Sequence, residues 1–91
     1  MSASSMLKAK IVRIRIEEDD GLFIATSVDL KGLLVAQKTL DALQREIPKN
    51  IVSLYAACGV EVVATMIEDG NDWVAVPAVV ARKALESQHS A

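Results

Sequence analysis

The sequence predicts an α+β fold in which a small antiparallel sheet, in the order β-β-β-α-β, packs one face against a single helix. Apolar side chains alternate with a period of two after Lys8, which indicates a strand. The turn sequences Asp20-Gly21 and Asp29–Gly32 then separate three strands, and the apolar period changes to 3.6 at Thr39. A further C-terminal strand and a short terminal helix can complete this order.

The first strand is predicted from Lys8 to Glu17. Its two faces differ in polarity: Val12, Ile14 and Ile16 on one, and Ile11, Arg13, Arg15 and Glu17 on the other. This alternation predicts a strand that buries one face. Glu17–Gly21 is interpreted as a polar hairpin connection, in which Asp20-Gly21 supplies the positive φ of a tight turn, so the next strand is expected to run antiparallel.

The second strand, Leu22–Val28, alternates less clearly, and its sequence leaves open whether Phe23 or Ile24 faces the core. The turn Asp29–Gly32 follows, in which aspartate can accept a hydrogen bond from the backbone ahead and glycine can take a left-handed conformation. A third strand is predicted over Leu33–Gln37.

The helix is predicted from a stripe of apolar residues three or four positions apart, namely Leu40, Leu43, Ile47, Ile51, Leu54 and Cys58. Thr39 is suited to the N-cap and Gly59 to the position after the C-cap. Pro48 removes one internal hydrogen bond, so either the helix kinks there or two short helices meet.

After the helix, Val60–Ile67 predicts a fourth strand, 68–72 a turn, and Trp73–Val76 another extended segment. Residues 1–7 are expected to be disordered and 8–76 to form the α+β domain. Residues 77–91 are expected to form a short helix beginning at Pro77, or an extended tail.

Composition excludes several classes of function. Ten basic and twelve acidic residues give a net charge of −2 and no broad basic field, which disfavours nucleic-acid binding. A single cysteine allows no internal disulfide, and no apolar run is long enough to span a bilayer. With no signal peptide apparent at the N-terminus, a cytoplasmic protein without a membrane association is expected.

The sequence predicts no catalytic residue, no metal site and no cofactor. His89 lies in a polar tail, and Cys58 falls on the apolar stripe, where burial is expected. The acidic clusters, Glu17–Asp20 and Glu68 with Asp69 and Asp72, are interpreted as solvated turns, since neither has the spacing of a calcium loop. We therefore do not expect an enzyme.

Four residues are candidates for a partner interface: Arg13, Arg15, Phe23 and Trp73. The two arginines share the polar face of the first strand, although Glu17 continues that row and partly neutralises it. A large ring on a late strand can anchor an interface, and the alternative for Trp73 is a place in the core. If the second face of the sheet is uncovered, exposed Ile11, Val63 and Ile67 would favour a homodimer or higher homo-oligomer.

The segment Gly21–Gly32, followed by Leu33-Leu34-Val35 and Thr39–Leu43, resembles the HicB-like antitoxin family. Within that family, the chain is most similar to a small uncharacterised branch whose helix also contains Ile-Pro, here Ile47-Pro48. The resemblance covers about residues 10 to 67. It implies three antiparallel strands, a helix and a further strand, related to a reduced ribonuclease-H-like core.

This resemblance implies a protein that neutralises a small, basic, RNA-cleaving toxin by blocking its active site. Lys31 replaces the proline usual before the turn glycine, and only about fifteen residues follow Val76, too few for a DNA-binding module. Direct DNA binding is therefore not expected, nor is nuclease activity, because the first strand presents Arg13 and Arg15 instead of metal-binding carboxylates. The alternative is a homo-oligomeric structural or small-ligand-binding module, with an apolar pocket near Pro48.

Overall fold

A computed structural model describes residues 8–67 and 72–79. These residues form six strands and one helix: β1 (Lys10–Arg13), β2 (Arg15–Asp19), β3 (Leu22–Thr26), β4 (Leu34–Gln37), α1 (Leu40–Ala57), β5 (Val62–Met66) and β6 (Asp72–Pro77). The α+β class and the helix after the third predicted strand are confirmed. The extra C-terminal strand is present as β6.

The strands make two antiparallel sheets that meet at Ile14. One has the order β1-β6-β5 and the other β2-β3-β4. The single first strand predicted from Lys8 to Glu17 is therefore wrong in detail: it is interrupted at Ile14 and continues to Asp19. The interruption arises because the two halves of this stretch have different partners. Lys10–Arg13 pair with β6, whereas Arg15–Asp19 pair with β3.

The first hairpin turns at Asp20-Gly21 as predicted, but the connection expected over Glu17–Gly21 is wrong in length, because Glu17–Asp19 continue β2. Asp20 and Gly21 have φ angles of 53° and 78°, which match the twist of antiparallel strands. The turn fixes the register, in which Asp19 faces Leu22 and Arg15 faces Thr26. Phe23 and Ala25 consequently face the core, which settles the question that the sequence left open.

The core lies between α1 and one face of both sheets. It contains mainly aliphatic side chains together with one indole: Val12, Ile14, Ala25, Leu33, Val35, Leu43, Ile47, Ile51, Val62, Trp73 and Ala75. The predicted inward face of the first strand is thus confirmed. Because a single helix covers this inner face, the opposite face of the sheets has no covering layer among the described residues.

Both ends of α1 are capped as predicted. Thr39 Oγ1 accepts a hydrogen bond of 3.1 Å from the Ala42 amide. At the other end Gly59 has a φ of 82°, and the Gly59 and Val60 amides donate to the carbonyls of Ala56 and Tyr55. These two bonds form a Schellman motif, which satisfies carbonyls that the helix leaves free.

The helix does not divide at Pro48. It is continuous over 18 residues, so the alternative of two short helices is wrong. Cys58 was expected to be buried on the apolar stripe, and this is also wrong, since the thiol is exposed. The physical reason is that α1 ends at Ala57, which makes Cys58 the C-cap residue. Leu40, at the opposite end of the stripe, is exposed as well.

Some expectations fall outside the described residues. They concern disorder in 1–7, the carboxylates Glu68 and Asp69, and most of the terminal helix in 77–91. Pro77 itself ends β6, and Ala78 and Val79 are helical. Across residues 8–67 and 72–79, no helix is long and apolar enough to cross a membrane.

Replacing Ile47 by alanine should lower the free energy of unfolding by about 2–5 kcal/mol, because the side chain is fully buried between α1 and the sheets. Urea titration followed by circular dichroism measures this change. Val28→Ala is the matched control: Val28 is 84% exposed, so its truncation should change stability by less than about 0.5 kcal/mol. If both substitutions lowered the free energy of unfolding equally, the burial of Ile47 in the core would be contradicted.

Candidate protein-interaction surface

The side chain of Asp29 binds Arg13 at the point where the two sheets meet. Asp29 Oδ2 accepts from the Arg13 backbone amide at 2.8 Å and from Nε at 2.9 Å, while Oδ1 accepts from Nη2 at 2.8 Å. The guanidinium therefore makes the planar two-point contact that suits a carboxylate. Instead of bonding the backbone ahead of it, as the sequence suggested, Asp29 connects the turn after β3 to the end of β1.

A second aspartate lies on the other side of the same segment. Asp72 Oδ1 accepts from the Ile14 amide at 3.4 Å, a longer and weaker bond than those of Asp29. Successive amides of an extended chain point to opposite edges, so Arg13 and Ile14 present their donors in opposite directions. Asp72 of β6 and Asp29 of the turn after β3 thus each accept a hydrogen bond from an amide that has no partner strand.

The ion pair changes the acidity of its members. Hydrogen bonds from the Arg13 side chain and backbone lower the pKa of Asp29 from 3.8 to about 2. The pKa of Arg13 is raised, chiefly by its hydrogen bond to Asp29 and by the charge of that carboxylate, with a smaller attraction from Asp72. Arg13 and Asp29 are therefore both charged at neutral pH. Nearby on α1, burial raises the pKa of Tyr55, and the charge of Asp29 adds to that rise.

Arg15 lies on the same outward face as Arg13 and is also paired. Its Nη2 is 2.8 Å from Glu17 Oε2, and both side chains are well exposed. The neutralisation expected from Glu17 is therefore present. The two arginines form alternating charge pairs along the first strands, and an exposed pair of this kind adds little to stability.

An apolar surface continues this face across the sheet of β1, β6 and β5. We call it the outer face, and it consists of Ile11, Val63, Val74 and Val76. Ile11 faces Val74, and Val63 faces Val76, in adjacent strand pairs. Ile11 is 58% exposed and Val63 is 45% exposed. On the second sheet, Leu34 is also exposed on the face opposite to the core.

The remaining two interface candidates lie on the inner side. Phe23 is half-buried and packs against the core from β3, the middle strand of the second sheet. Trp73 is 5% exposed, which favours the alternative of a core position. Its indole Nε1 is buried without a hydrogen-bond partner among the described residues. The structure therefore separates Arg13 and Arg15, on the outer side, from Phe23 and Trp73.

A groove lies beside Pro48, where the sequence suggested an apolar pocket. We call it the Pro48 groove; it is open to solvent, has a volume of about 520 Å³, and is lined by Pro48, Lys49, Val52, Val62, Val63 and Ala64. On the other side of α1, a polar groove of about 340 Å³ separates the helix from β4. Asn50 borders this second groove, and its buried Oδ1 has no partner among the described residues.

The described residues bring together no group of three or more histidine, cysteine, aspartate or glutamate side chains that would hold a metal ion. Cys58 is exposed at the end of α1, and His89 lies outside the described part of the chain. The Glu17–Asp20 carboxylates are exposed, as predicted, but Glu17–Asp19 belong to β2 and only Asp20 lies in the turn. The chemistry available on this surface is apolar contact and charge pairing.

Asp29 and Asp72 were missed as structural residues by the reasoning from sequence. A signal for Asp29 existed, because the two-residue Asp20-Gly21 turn fixes the register of the hairpin. Extending the observed pairs beyond Arg15 and Thr26 places Arg13 opposite Val28, next to Asp29. The role of Asp72 depends on the pairing of β1 with β6, which are distant in sequence.

Comparison with protein-family models, with curated proteins and with solved structures found no match for this chain.

Replacing Asp29 by asparagine should change how stability depends on pH. A carboxylate whose pKa is lowered on folding stabilises the folded state above its unfolded pKa and loses that contribution as pH falls towards its folded pKa. The wild type should therefore be more stable than Asp29→Asn at pH about 6, and the difference should shrink between pH about 4 and about 2. Urea midpoints over this range measure it.

Asp19→Asn is the control, since Asp19 is an exposed hairpin carboxylate with no side-chain hydrogen bond to the described residues. It should leave the urea midpoint at pH about 6 close to that of the wild type. A wild type that differs from Asp29→Asn by the same amount at every pH would contradict the role given to the Asp29 carboxylate.

Proposed function

We propose that this chain is a non-enzymatic protein-binding module of the HicB antitoxin type, which neutralises a small RNA-cleaving toxin by steric occlusion. The exposed apolar side chains of the outer face are the observation that supports protein binding. One helix covers the inner side of the sheets, while Ile11 and Val63 remain exposed on the other. The toxin part rests on the resemblance of Gly21–Gly32 and Thr39–Leu43 to that family.

An apolar sheet surface is the type of surface that a partner protein covers. Strands with one solvated face ordinarily place polar residues on it. On the outer face, however, valine and isoleucine occupy adjacent positions in three neighbouring strands. Contiguous apolar patches bordered by polar residues mark interaction sites. The Arg13–Asp29 and Arg15–Glu17 pairs provide such a polar border.

Charge supports a basic partner. The first hairpin carries four successive carboxylates, Glu17–Asp20, and all four are exposed. Of these, Glu17 is paired with Arg15, so the tip of the hairpin is negative. An acidic projection on the same molecule as an apolar face attracts a basic protein and orients it, which increases the rate of association. A protein that binds and cleaves RNA carries basic residues at its active site.

The absence of enzymatic activity is part of the proposal. General acid–base catalysis requires a titratable group held within hydrogen-bond reach of a reacting atom. Over residues 8–67 and 72–79 there is no histidine, and the carboxylate with the clearest pKa shift, Asp29, is occupied by Arg13. The buried surface between α1 and the sheets is aliphatic apart from Trp73. Occlusion of a toxin needs only a complementary surface.

A second candidate is a homo-oligomeric structural or small-ligand-binding module. The Pro48 groove favours it, because this groove is apolar and has the volume of a small-molecule site. Its openness on the solvent side distinguishes it from the enclosed pockets that bury most of a ligand. A rise in melting temperature with one compound from a panel of apolar metabolites would support this candidate over the antitoxin.

The antitoxin proposal is tested by expressing the tagged chain from its native locus and identifying co-purified proteins by mass spectrometry. We expect one small basic protein whose RNA cleavage stops when the chain is added back. Ile11→Lys should reduce the amount of this protein at least about tenfold, since it places a charge on the outer face at its most exposed isoleucine. Val28→Lys, at an exposed position in the loop after β3, is the matched control and should retain it.

Absence of a co-purified protein would remove the antitoxin function. Equal retention by Ile11→Lys and the wild type, with both variants folded by circular dichroism, would instead place the partner on another surface.

A further inference from the structure

One edge of β5 is free among the described residues. In this part of the chain β5 is the last strand of its sheet, with β6 on one side only. The Ile67 amide donates to the Asp72 carbonyl, and the Ala78 amide donates to the Glu61 carbonyl. Residues of odd number along β5 therefore direct their backbone groups towards β6. Because this direction alternates along an antiparallel strand, Val62, Ala64 and Met66 direct theirs away from the sheet.

Between Val62 and Met66, the β5 edge lacks the sequence features that usually prevent strands from pairing. Exposed edges are normally protected by charged side chains, by proline or by a bulge. The sequence from Val62 to Met66 contains no charged residue and no proline. All five residues pair with β6 in unbroken register. The edge is therefore a straight, uncharged template for another strand.

The Pro48 groove lies directly beside this edge. Val62, Val63 and Ala64 form one wall, and Pro48 and Val52 of α1 form another. Among the described residues that line the groove, Lys49 carries the only charge, and its Nζ is 3.4 Å from Glu46 Oε2. A strand added next to β5 would direct alternate side chains into the groove, so that it would gain backbone hydrogen bonds and apolar contacts together.

We propose that the strand that pairs with β5 is β5 of a second copy of this chain, in a twofold-symmetric dimer. With the twofold axis at Ala64, the outward-directed residues match: Ala64 faces Ala64 of the second copy, and Val62 faces Met66. Each facing pair exchanges two backbone hydrogen bonds, with Cα atoms about 5.5 Å apart. Met66, which is 43% exposed in the single chain, then fills the Pro48 groove of the second copy.

Charge favours a second copy over a different protein. In a twofold-symmetric pair of strands, each residue lies opposite the same residue of the second copy or opposite one nearby in sequence. Charged residues along the edge would therefore repel each other. The β5 edge avoids this because it has no charge, and its central residue is a small alanine that lets two copies approach. Nothing on the edge selects a partner of opposite charge, whereas the acidic hairpin on the first strands does. The dimer deepens the homo-oligomer alternative of the proposed function and rests on it, while leaving the outer face free.

The test introduces a charged residue at the twofold axis. Ala64→Lys and Ala64→Glu each place like charges opposite one another in the dimer, and the side chain in the single chain is half-buried at an open groove. Sedimentation equilibrium should give the wild type twice the 9.8 kDa mass of one chain. Each variant alone should dissociate at least about tenfold more readily. An equimolar mixture of the two should recover the dimer, which a misfolded variant would not do.

The measurement of oligomeric state and the toxin co-purification test the two proposals independently. A wild-type dimer that persists in both charged variants would overturn the β5 pairing while leaving self-association intact. A monomeric wild type at tens of micromolar would overturn both, whether or not a toxin co-purifies. A monomer that becomes a dimer when the chain is truncated after Val79 would also overturn the proposal for the intact chain, and would identify residues 80–91 as the occupant of the groove.

Discussion

The arrangement of the whole structure depends on the short segment Arg13-Ile14, where one extended chain passes from one sheet into the other. Neither amide of this segment is used in a strand ladder, and an unpaired backbone donor is costly wherever water is excluded. Asp29 and Asp72 satisfy them from opposite sides. Asp29 also binds the guanidinium of Arg13, which connects the turn after β3 to the end of β1.

Because the two sheets are aligned there, one 18-residue helix is long enough to cover the inner face of both. The helix contacts β4 on one side and β5 on the other, which places grooves along both flanks. Among the described residues, the helix leaves the outer face and the β5 edge uncovered. The outer face is the proposed site for a basic partner, and the uncharged β5 edge is the proposed site for a second copy.

Local features of the fold were predictable because their causes lie within a few residues. The Asp20-Gly21 hairpin, the Thr39 and Gly59 caps, and the apolar stripe of α1 each follow from local chemistry. The division of the first strand was not predictable, because it depends on the pairing of Lys10–Arg13 with β6, some sixty residues later. The exposure of Cys58 could have been inferred from Gly59, since a glycine after the C-cap ends the helix before the apolar stripe ends. For the candidate site, sequence identified Ile11, Val63 and the Pro48 pocket, but the β5 edge becomes visible only with the strand order.

Native-state hydrogen exchange at the Arg13 and Ile14 amides tests the central claim that the two sheets are held as one unit at this segment. If the sheets are held as one unit, both amides exchange as slowly as those of Val12 and Arg15 on either side, which are paired with β6 and β3, and all four respond together to small additions of denaturant. Fast exchange at Arg13 and Ile14, while the neighbouring strands stay protected, would contradict the account: the segment would then be a hinge between two independent sheets.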